Sequence, residues 1–275
     1  TLRLHFKNKK VPRITSFTHQ IIVILTAMSF LSKLFKKEPN LEPIDLSVLG
    51  TDVHSHLIPG IDDGAKVMEE TIIMLKGFID LGYKKVITTP HVMSDFYKNN
   101  PETILGGLEK VRAVIAKEKL PIEIEAAAEY YLDFHFESLI EKKELLSFGN
   151  NHVLFELSFM HEPTRIKEAI FNMQTAGYTP VLAHVERYPY YHFKWDILED
   201  FKSRGCLFQL NINSLSGAYG PPVKKMAEEI IEKGWIDLIG SDCHHMGHIE
   251  SIYKFRTNKF LHQIIAQEKL LNKQL

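Results

Sequence analysis

Residues 52–56, Asp52-Val53-His54-Ser55-His56, end the first of seven short apolar runs that set the fold of this chain. Runs of this length, rich in β-branched residues, predict strands at 48–56, 85–92, 122–130, 152–159, 180–187, 206–213 and 236–242. Helical periodicity fills the intervals at 66–82, 101–119, 136–146, 163–176, 194–204, 221–233 and 249–273. Regular alternation of strand and helix predicts parallel strands with right-handed crossovers, in either a closed barrel or an open sheet.

Polar side chains at the strand ends favour the barrel. Five of the predicted strands end in an imidazole or a carboxylate, carried by His54 and His56, His91, Glu129, His184, and Asp242 with His244. The carboxyl ends of barrel strands meet around one mouth, whereas an open sheet would spread them too widely for one site. The sequence therefore predicts an α/β fold, a distorted TIM-like (β/α)7 barrel with its site at the carboxyl ends of the strands.

Composition excludes several classes of protein. The chain has 275 residues, 45% of them hydrophobic, and 33 basic against 34 acidic residues give a formal net charge of -1. This balance offers no general attraction for nucleic acid or acidic lipid. The two cysteines, Cys206 and Cys243, do not suggest a disulfide framework and fit a reduced compartment. Neither has an arginine six residues later, as the phosphate loop of a cysteine phosphatase requires, and no glycine-rich nucleotide loop is found.

The N-terminal stretch differs from the rest of the chain. A basic segment precedes the apolar run 21–31, which is too short to span a bilayer and lacks a small-residue cleavage site after it. Met28 would also be a plausible start, which leaves open whether residues 1–27 belong to the native protein. We predict an N-terminal extension over 1–44, poorly ordered or an upstream segment, and a single barrel domain over 45–275. An amphipathic membrane anchor at 28–37 is the alternative.

The spacing of the strand-end residues points to metal. Residues two apart on a strand share a face, so His54 and His56 can bind one ion, and so can Asp242 and His244. Each motif has an ordinary explanation by itself: hydrogen-bonded histidines, or a turn at Asp62-Asp63-Gly64. Their joint occurrence at successive strand ends favours a metal site. Imidazole with carboxylate and without thiolate suits Mn, Fe or Zn better than Mg or Ca.

Longer motifs add a family resemblance. The chain carries Asp52-Val53-His54-Ser55-His56-Leu57-Ile58-Pro59-Gly60-Ile61-Asp62-Asp63-Gly64, Thr89-Pro90-His91, Ala128-Glu129-Tyr130-Tyr131, Ala183-His184-Val185-Glu186-Arg187-Tyr188 and Ser241-Asp242-Cys243-His244. Over about residues 48–250 it resembles the polymerase and histidinol phosphatase (PHP) family, and most closely the bacterial manganese-dependent protein tyrosine phosphatases of capsule and exopolysaccharide synthesis. The resemblance implies a cytoplasmic enzyme with three metal ions, which removes phosphate from a tyrosine kinase that controls polysaccharide export.

The resemblance also implies roles for individual residues. His54, His56 and Asp242 would hold one ion, Glu129 would bridge it to a second ion held by His91 and His184, and Asp63 and His244 would belong to a third. Hydroxide on the metals would attack phosphorus.

A guanidinium suits the phosphate itself, and Arg187, three residues after His184, is the candidate clamp. Relatives usually have a second arginine after the last metal motif, where this chain reads His245-Met246-Gly247-His248-Ile249. His248 is the candidate substitute, as a phosphate ligand or as the acid for the leaving phenolate, and Arg256 is another.

Three alternatives remain open at this stage. The same barrel and motif could serve a small-molecule phosphatase similar to histidinol phosphatase, an amidohydrolase-type hydrolase, or a non-catalytic binding subunit with a structural metal. Tyrosines at 130, 131, 188, 190 and 191 could line the cleft for an aromatic substrate or could be barrel packing. Oligomeric state cannot be read from the sequence.

Overall fold

Parallel strands at the centre of the molecule follow the predicted runs. They are β1 (Thr51–Asp52), β2 (Lys85–Thr88), β3 (His91–Val92), β4 (Glu123–Ala126), β5 (Glu129–Tyr131), β6 (His152–Glu156), β7 (Thr179–Leu182), β8 (Leu207–Asn211) and β9 (Leu238–Gly240). Two predicted strands are each split into two pieces, β2 with β3 and β4 with β5. The first split falls at Thr89-Pro90, where proline cannot donate a ladder hydrogen bond.

Helices cover the outside of the strands. They are α1 (Met68–Asp80), α2 (Pro101–Glu118), α3 (Phe134–Lys142), α4 (Ile166–Thr175), α5 (Trp195–Ser203), α6 (Pro221–Glu232), α7 (Met246–Phe255) and α8 (Lys259–Ala266). The prediction of one long final helix over 249–273 was wrong. The chain instead forms two helices, α7 and α8. Asn258 caps the start of α8, because its side chain accepts hydrogen bonds from the backbone N–H groups of Phe260 and Leu261.

The strand order confirms the barrel-like fold. One sheet runs β1-β2-β4 and the other β3-β5-β6-β7-β8-β9, with every pairing parallel. The first and last strands meet beyond their regular ends, where the His56 N–H donates to the Cys243 carbonyl at 2.9 Å and the Asp242 N–H donates to the His54 carbonyl at 2.8 Å. These bonds join the two edges of the curled sheet at its carboxyl end.

The interior of the barrel changes from apolar to polar along the strands. A buried cluster of Val53, Ile87, Ala127, Leu154, Val181, Ala183 and Leu238 fills its lower part. Residues two positions further along a strand face the same side, so Leu154 of β6 is followed by Glu156. Alternation along β6 therefore takes one face from the core to a carboxylate. His54 and His184 instead directly follow the core residues Val53 and Ala183 and lie beyond the ends of β1 and β7.

The structure is a computed structural model that describes residues 41–275, which form one compact unit. Most of the predicted extension, residues 1–40, lies outside the described part of the chain, so that prediction stays open, as does the anchor at 28–37. Within residues 41–275, none of the helices combines the length and the apolar character that crossing a bilayer requires.

Candidate metal centre

Two histidines from the end of β1 form the floor of the site. The Nε2 atoms of His54 and His56 lie 3.3 Å apart, and both side chains are fully buried. Asp242, which follows β9, places Oδ1 within 3.3 Å of His54 Nε2 and 3.4 Å of His56 Nε2. The predicted shared face of the two histidines is thus observed, and three possible ligand atoms converge there.

Glu129 occupies the middle of the cluster. Its Oε1 lies 3.0 Å from His184 Nε2, while Oε2 lies 3.2 Å from His54 Nε2 and 3.1 Å from His91 Nδ1. A carboxylate between three imidazoles can bridge two ions, one on each oxygen. The bridging role expected for Glu129 stays a prediction.

The outer part of the site gathers around His91. Its Nδ1 lies 3.1 Å from Glu156 Oε1, and its Nε2 lies 3.4 Å from Asp63 Oδ1. His244 Nε2 also lies 3.4 Å from Asp63 Oδ1. Asp63, His91 and His244 form a group of possible ligands together with His56.

All eight residues predicted as metal ligands therefore meet in one cluster: His54, His56, Asp63, His91, Glu129, His184, Asp242 and His244. Sequence reasoning missed Glu156, which joins His91 and Glu129 in a further group. Glu156 is the last residue of β6, whereas the predicted strand runs to residue 159. Glu156 therefore lies inside the predicted strand, where no pattern marks it as a ligand at a strand end.

Asp62 has a role that the turn-like motif concealed. Its side chain is buried, its Oδ2 lies 2.8 Å from His56 Nδ1, and its Oδ1 accepts a hydrogen bond from the Gly64 N–H at 3.0 Å. An aspartate that accepts from Nδ1–H directs Nε2 of His56 towards the cluster. Glycine is required at 64 because a Cβ there would lie 2.2 Å from the His56 carbonyl oxygen.

The imidazoles and carboxylates of the cluster shift each other's pKa values. Burial alone would lower the pKa of His54, yet the carboxylates of Glu129 and Asp242 outweigh it and raise that pKa to about 9. In the same way, Glu129 and Glu156 overcome the burial of His91 and raise its pKa to about 10. Burial opposes the ionised carboxylates too, but the facing imidazoles hold the pKa values of Glu129 and Asp242 well below normal.

These residues fit divalent metal ions. Among the described residues, the buried Oε2 of Glu129 has no hydrogen-bond partner of good geometry, although three imidazole nitrogens lie within 3.5 Å of it. Buried carboxylate oxygens are otherwise almost always satisfied, and a bridging ion would satisfy this one. The donor set of imidazoles and carboxylates suits Mn, Fe or Zn.

A cleft of about 370 Å³ opens over the cluster. Arg187 lies at its edge and donates from Nη1 to Asp242 Oδ2 at 2.9 Å. The guanidinium carbon is 4.7 Å from the ring centre of Phe159 and 4.3 Å from that of Tyr219. Two aromatic rings thus hold Arg187 in place, and sequence reasoning predicted neither of them.

His248 also lines the cleft, as predicted. Its Nδ1 lies 2.9 Å from the Asp242 carbonyl oxygen and 3.3 Å from the His244 backbone nitrogen, so this ring nitrogen has both an acceptor and a donor beside it. Burial, with the neighbouring His245, lowers the pKa of His248 to about 4. A neutral ring cannot replace a cationic arginine, and Arg256 instead contacts the Tyr253 ring and the Ile44 carbonyl.

The remaining sequence candidates pack into the fold. Tyr130, Tyr188 and Tyr191 are buried, so barrel packing explains these tyrosines. Burial raises the pKa of the Cys206 thiol to about 12, and the Cys243 thiol lies 3.6 Å from the sulfur of Met74, away from the cluster. Neither thiol is a thiolate at neutral pH, in keeping with the exclusion of a cysteine phosphatase.

Comparison with known proteins gives consistent results. A family model described as "Capsular polysaccharide synthesis, CpsB/CapC" matches residues 50–257. The tyrosine-protein phosphatase YwqE of Bacillus subtilis is 28% identical over 196 residues, which is 71% of this chain and 77% of the relative. The tyrosine-protein phosphatase CpsB of Streptococcus pneumoniae is 26% identical over 201 residues, covering 71% and 83% of the two chains.

Solved structures agree with the sequence relatives. A crystal structure described as one of YwqE from Bacillus subtilis and CpsB from Streptococcus pneumoniae, "unique metal-dependent tyrosine phosphatases", matches with a TM-score of 0.72 at 25% identity. The match covers 82% of this chain and 94% of the other. Histidinol phosphate phosphatase from Lactococcus lactis matches with a TM-score of 0.50 at 14% identity over 80% and 94% of the chains, which shows a shared fold.

Proposed function

The chain belongs to the CpsB/CapC family of capsular polysaccharide synthesis, and from this we propose that it is a metal-dependent protein tyrosine phosphatase. The observation that carries the proposal is the cluster around Glu129, where imidazole and carboxylate groups from several strand ends converge beneath an open cleft. The relatives named as tyrosine-protein phosphatases and the metal-dependent structure support the same activity.

Manganese is the proposed cofactor, with up to three ions. The first would be held by His54, His56 and Asp242, and Glu129 would bridge it to a second ion bound by His91 and His184. The third would be held by Asp63 and His244, and Glu156 would complete the ligands on the His91 side. Bound divalent ions would neutralise phosphate charge and lower the pKa of a water near phosphorus.

The protein itself would bind and orient the phosphate through Arg187. A guanidinium offers paired N–H donors that match two phosphoryl oxygens. The rings of Phe159 and Tyr219, with centres 4.7 and 4.3 Å from the guanidinium carbon, would limit the movement of this group at the edge of the cleft. Asp242 Oδ2 fixes one side of the same group at 2.9 Å.

The aromatic part of the substrate would lie against Phe159. This side chain is 40% exposed, and its ring centre is 5.6 Å from that of His184. A phosphotyrosine whose phosphate reaches the cluster must place its phenyl ring at the mouth of the cleft. An exposed phenyl group there favours an aromatic ester over an alkyl one.

His248 would act as a neutral group at the same mouth. Its lowered pKa keeps the ring neutral at neutral pH, so one of its two nitrogens can accept a hydrogen bond. In this position it would hold water or a substrate N–H rather than protonate the leaving phenolate.

The physiological substrate would be a bacterial tyrosine kinase of polysaccharide export, met in the cytoplasm. The family description and the activity named for the relatives support this partner. Docking would bring a phosphorylated tail to the cleft.

The decisive experiment measures hydrolysis of a phosphotyrosine peptide by metal-stripped protein, with and without Mn²⁺. We expect Mn²⁺ to restore activity in the wild type and in Asp196→Ala, which removes an exposed carboxylate of α5, but not in Asp242→Ala. Histidinol phosphate and a cyclic amide are tested in parallel. Hydrolysis of either of these without hydrolysis of the peptide would contradict the proposal.

A further inference from the structure

Two buried amide side chains lie directly beneath the metal ligands. Gln209 and Asn211 sit two residues apart on β8, and their side chains share the inward face of the strand. Both are fully buried, so their donors and acceptors must be satisfied by the protein. Together they form hydrogen bonds with three residues of the cluster: His54, His184 and Asp242.

One end of this pair is fixed by a backbone donor. The Oε1 atom of Gln209 accepts from the His184 N–H at 2.9 Å, and this identifies the oxygen because a backbone N–H can only donate. The same oxygen lies 3.0 Å from His54 Nδ1. His54 must therefore donate from Nδ1.

The other end is fixed by a carboxylate. Asn211 lies 2.7 Å from Asp242 Oδ2, so the atom that faces this acceptor is its nitrogen, Nδ2. Its Oδ1 then faces Nε2 of Gln209, which donates to it at 3.0 Å. The two ends independently require the same orientation for both amides.

This orientation decides which atoms face the cluster. With Nδ1 of His54 held as a donor, Nε2 is the atom directed at Glu129 and Asp242, at 3.2 and 3.3 Å. With Oδ2 of Asp242 held by Asn211 and Arg187, Oδ1 is the atom left for the cluster.

The backbone bond to Gln209 also supports an unusual conformation. His184 has a φ of 31° and Asp242 a φ of 50°, both in the left-handed region that residues other than glycine disfavour. Such conformations persist where surrounding contacts hold them. Gln209 holds the His184 N–H, and Asn211 holds the Asp242 side chain.

We infer that Gln209 and Asn211 form a positioning unit that selects Nε2 of His54 and Oδ1 of Asp242 as the atoms presented to metal. This inference rests on the metal centre of the proposed function. It adds residues that touch neither metal nor substrate and that act through the ligands.

The test compares Gln209→Met, which keeps the length of the side chain but removes its hydrogen bonds, with Gln209→Glu, which keeps the acceptor towards His54 and His184. Zn²⁺ is the diamagnetic probe, and its affinity is measured by competition with a chelator. Partners of metal-bound histidines typically contribute about 10- to 100-fold to affinity. We expect a loss of that size in Gln209→Met and a smaller one in Gln209→Glu.

A second readout reports the tautomer directly. In zinc-loaded protein, two-bond ¹H–¹⁵N correlation spectra should show His54 with its proton on Nδ1 in the wild type and in Gln209→Glu. In Gln209→Met the Nδ1–H signal should lose its protection from exchange. Should Gln209→Met fail to fold, loss of the His54 signature in Gln209→Glu would equally overturn the inference.

Asn272→Leu is the matched control. It removes a buried amide elsewhere in the barrel, where Asn272 bonds the backbone of Thr51 and Ile239. We expect it to lower thermal stability and leave zinc affinity unchanged. Unchanged zinc affinity and unchanged exchange protection of the His54 Nδ1–H in Gln209→Met would overturn the inference alone. An equal loss of zinc affinity in Asn272→Leu would do the same. A wild type that binds no zinc would overturn the metal centre itself.

Discussion

Replacement of Arg187 by lysine tests whether the phosphate is recognised by a planar, paired donor. Lysine keeps the positive charge but loses the forked geometry and the flat faces that pack on Phe159 and Tyr219. Hydrogen bonds to charged groups contribute about 1.5–3 kcal/mol each. If lysine replaces a paired contact by a single one, kcat/KM for a phosphotyrosine peptide should fall by about 10- to 150-fold.

The assay is steady-state hydrolysis by manganese-loaded protein, together with elemental analysis of bound metal. Arg165→Lys is the matched control, because Arg165 also lies over an aromatic ring, that of Phe134 at 5.8 Å, but on the exposed surface beside Glu168. We expect the control to retain wild-type kinetics. Wild-type kcat/KM in Arg187→Lys would refute the reasoning. A fall matched by loss of bound metal would instead mean that Arg187 acts on Asp242.

Three further predictions follow from the site. Asp62→Asn should weaken manganese binding by about 10- to 100-fold, because the buried carboxylate at 2.8 Å from His56 Nδ1 orients that ring. Chelator competition measures the affinity, and an unchanged value would contradict this prediction. Phe159→Leu should lower kcat/KM for a phosphotyrosine peptide about 2- to 12-fold, which corresponds to the loss of one aromatic contact. It should leave kcat/KM for an alkyl phosphate unchanged, and equal losses on both substrates would disprove the ring contact. In metal-free protein, the pKa of His54 is raised to about 9 and that of His91 to about 10. Both rings are therefore protonated at neutral pH, and they lose these protons only as the pH rises through those values. Metal loading at pH 7.5 should therefore release about two protons from these rings. The release is measured by calorimetry in buffers of different ionisation enthalpy, and a release below about one proton would contradict this charge state.

Several features of the site could be predicted from local sequence. The alternation of strand and helix places strand ends together, and residue spacing puts His54 and His56 on one face. Both arguments need only the regular geometry of β/α units. For the same reason the barrel-like fold was predicted correctly, as were most helix boundaries to within a few residues.

The partners of the ligands could not be predicted, because they depend on contacts between distant segments. Gln209 meets His54 across 155 positions of sequence, and Arg187 meets Asp242 across 55. A single glutamine on a strand carries no local pattern that separates a buried partner of a histidine from an ordinary polar residue. The break between α7 and α8 was missed similarly, since Asn258 is a weak signal beside the apolar periodicity around it.

Local sequence was enough to identify eight of the residues that could bind metal, though not Glu156, and the end of the barrel at which they lie. Tertiary structure decided how each one is used. It set the tautomer of His54 through Gln209, the free oxygen of Asp242 through Asn211 and Arg187, and the low pKa of His248 through burial. Strand periodicity is a property of neighbouring residues, whereas tautomer, charge and ligand choice depend on the atoms that folding brings within about 3 Å.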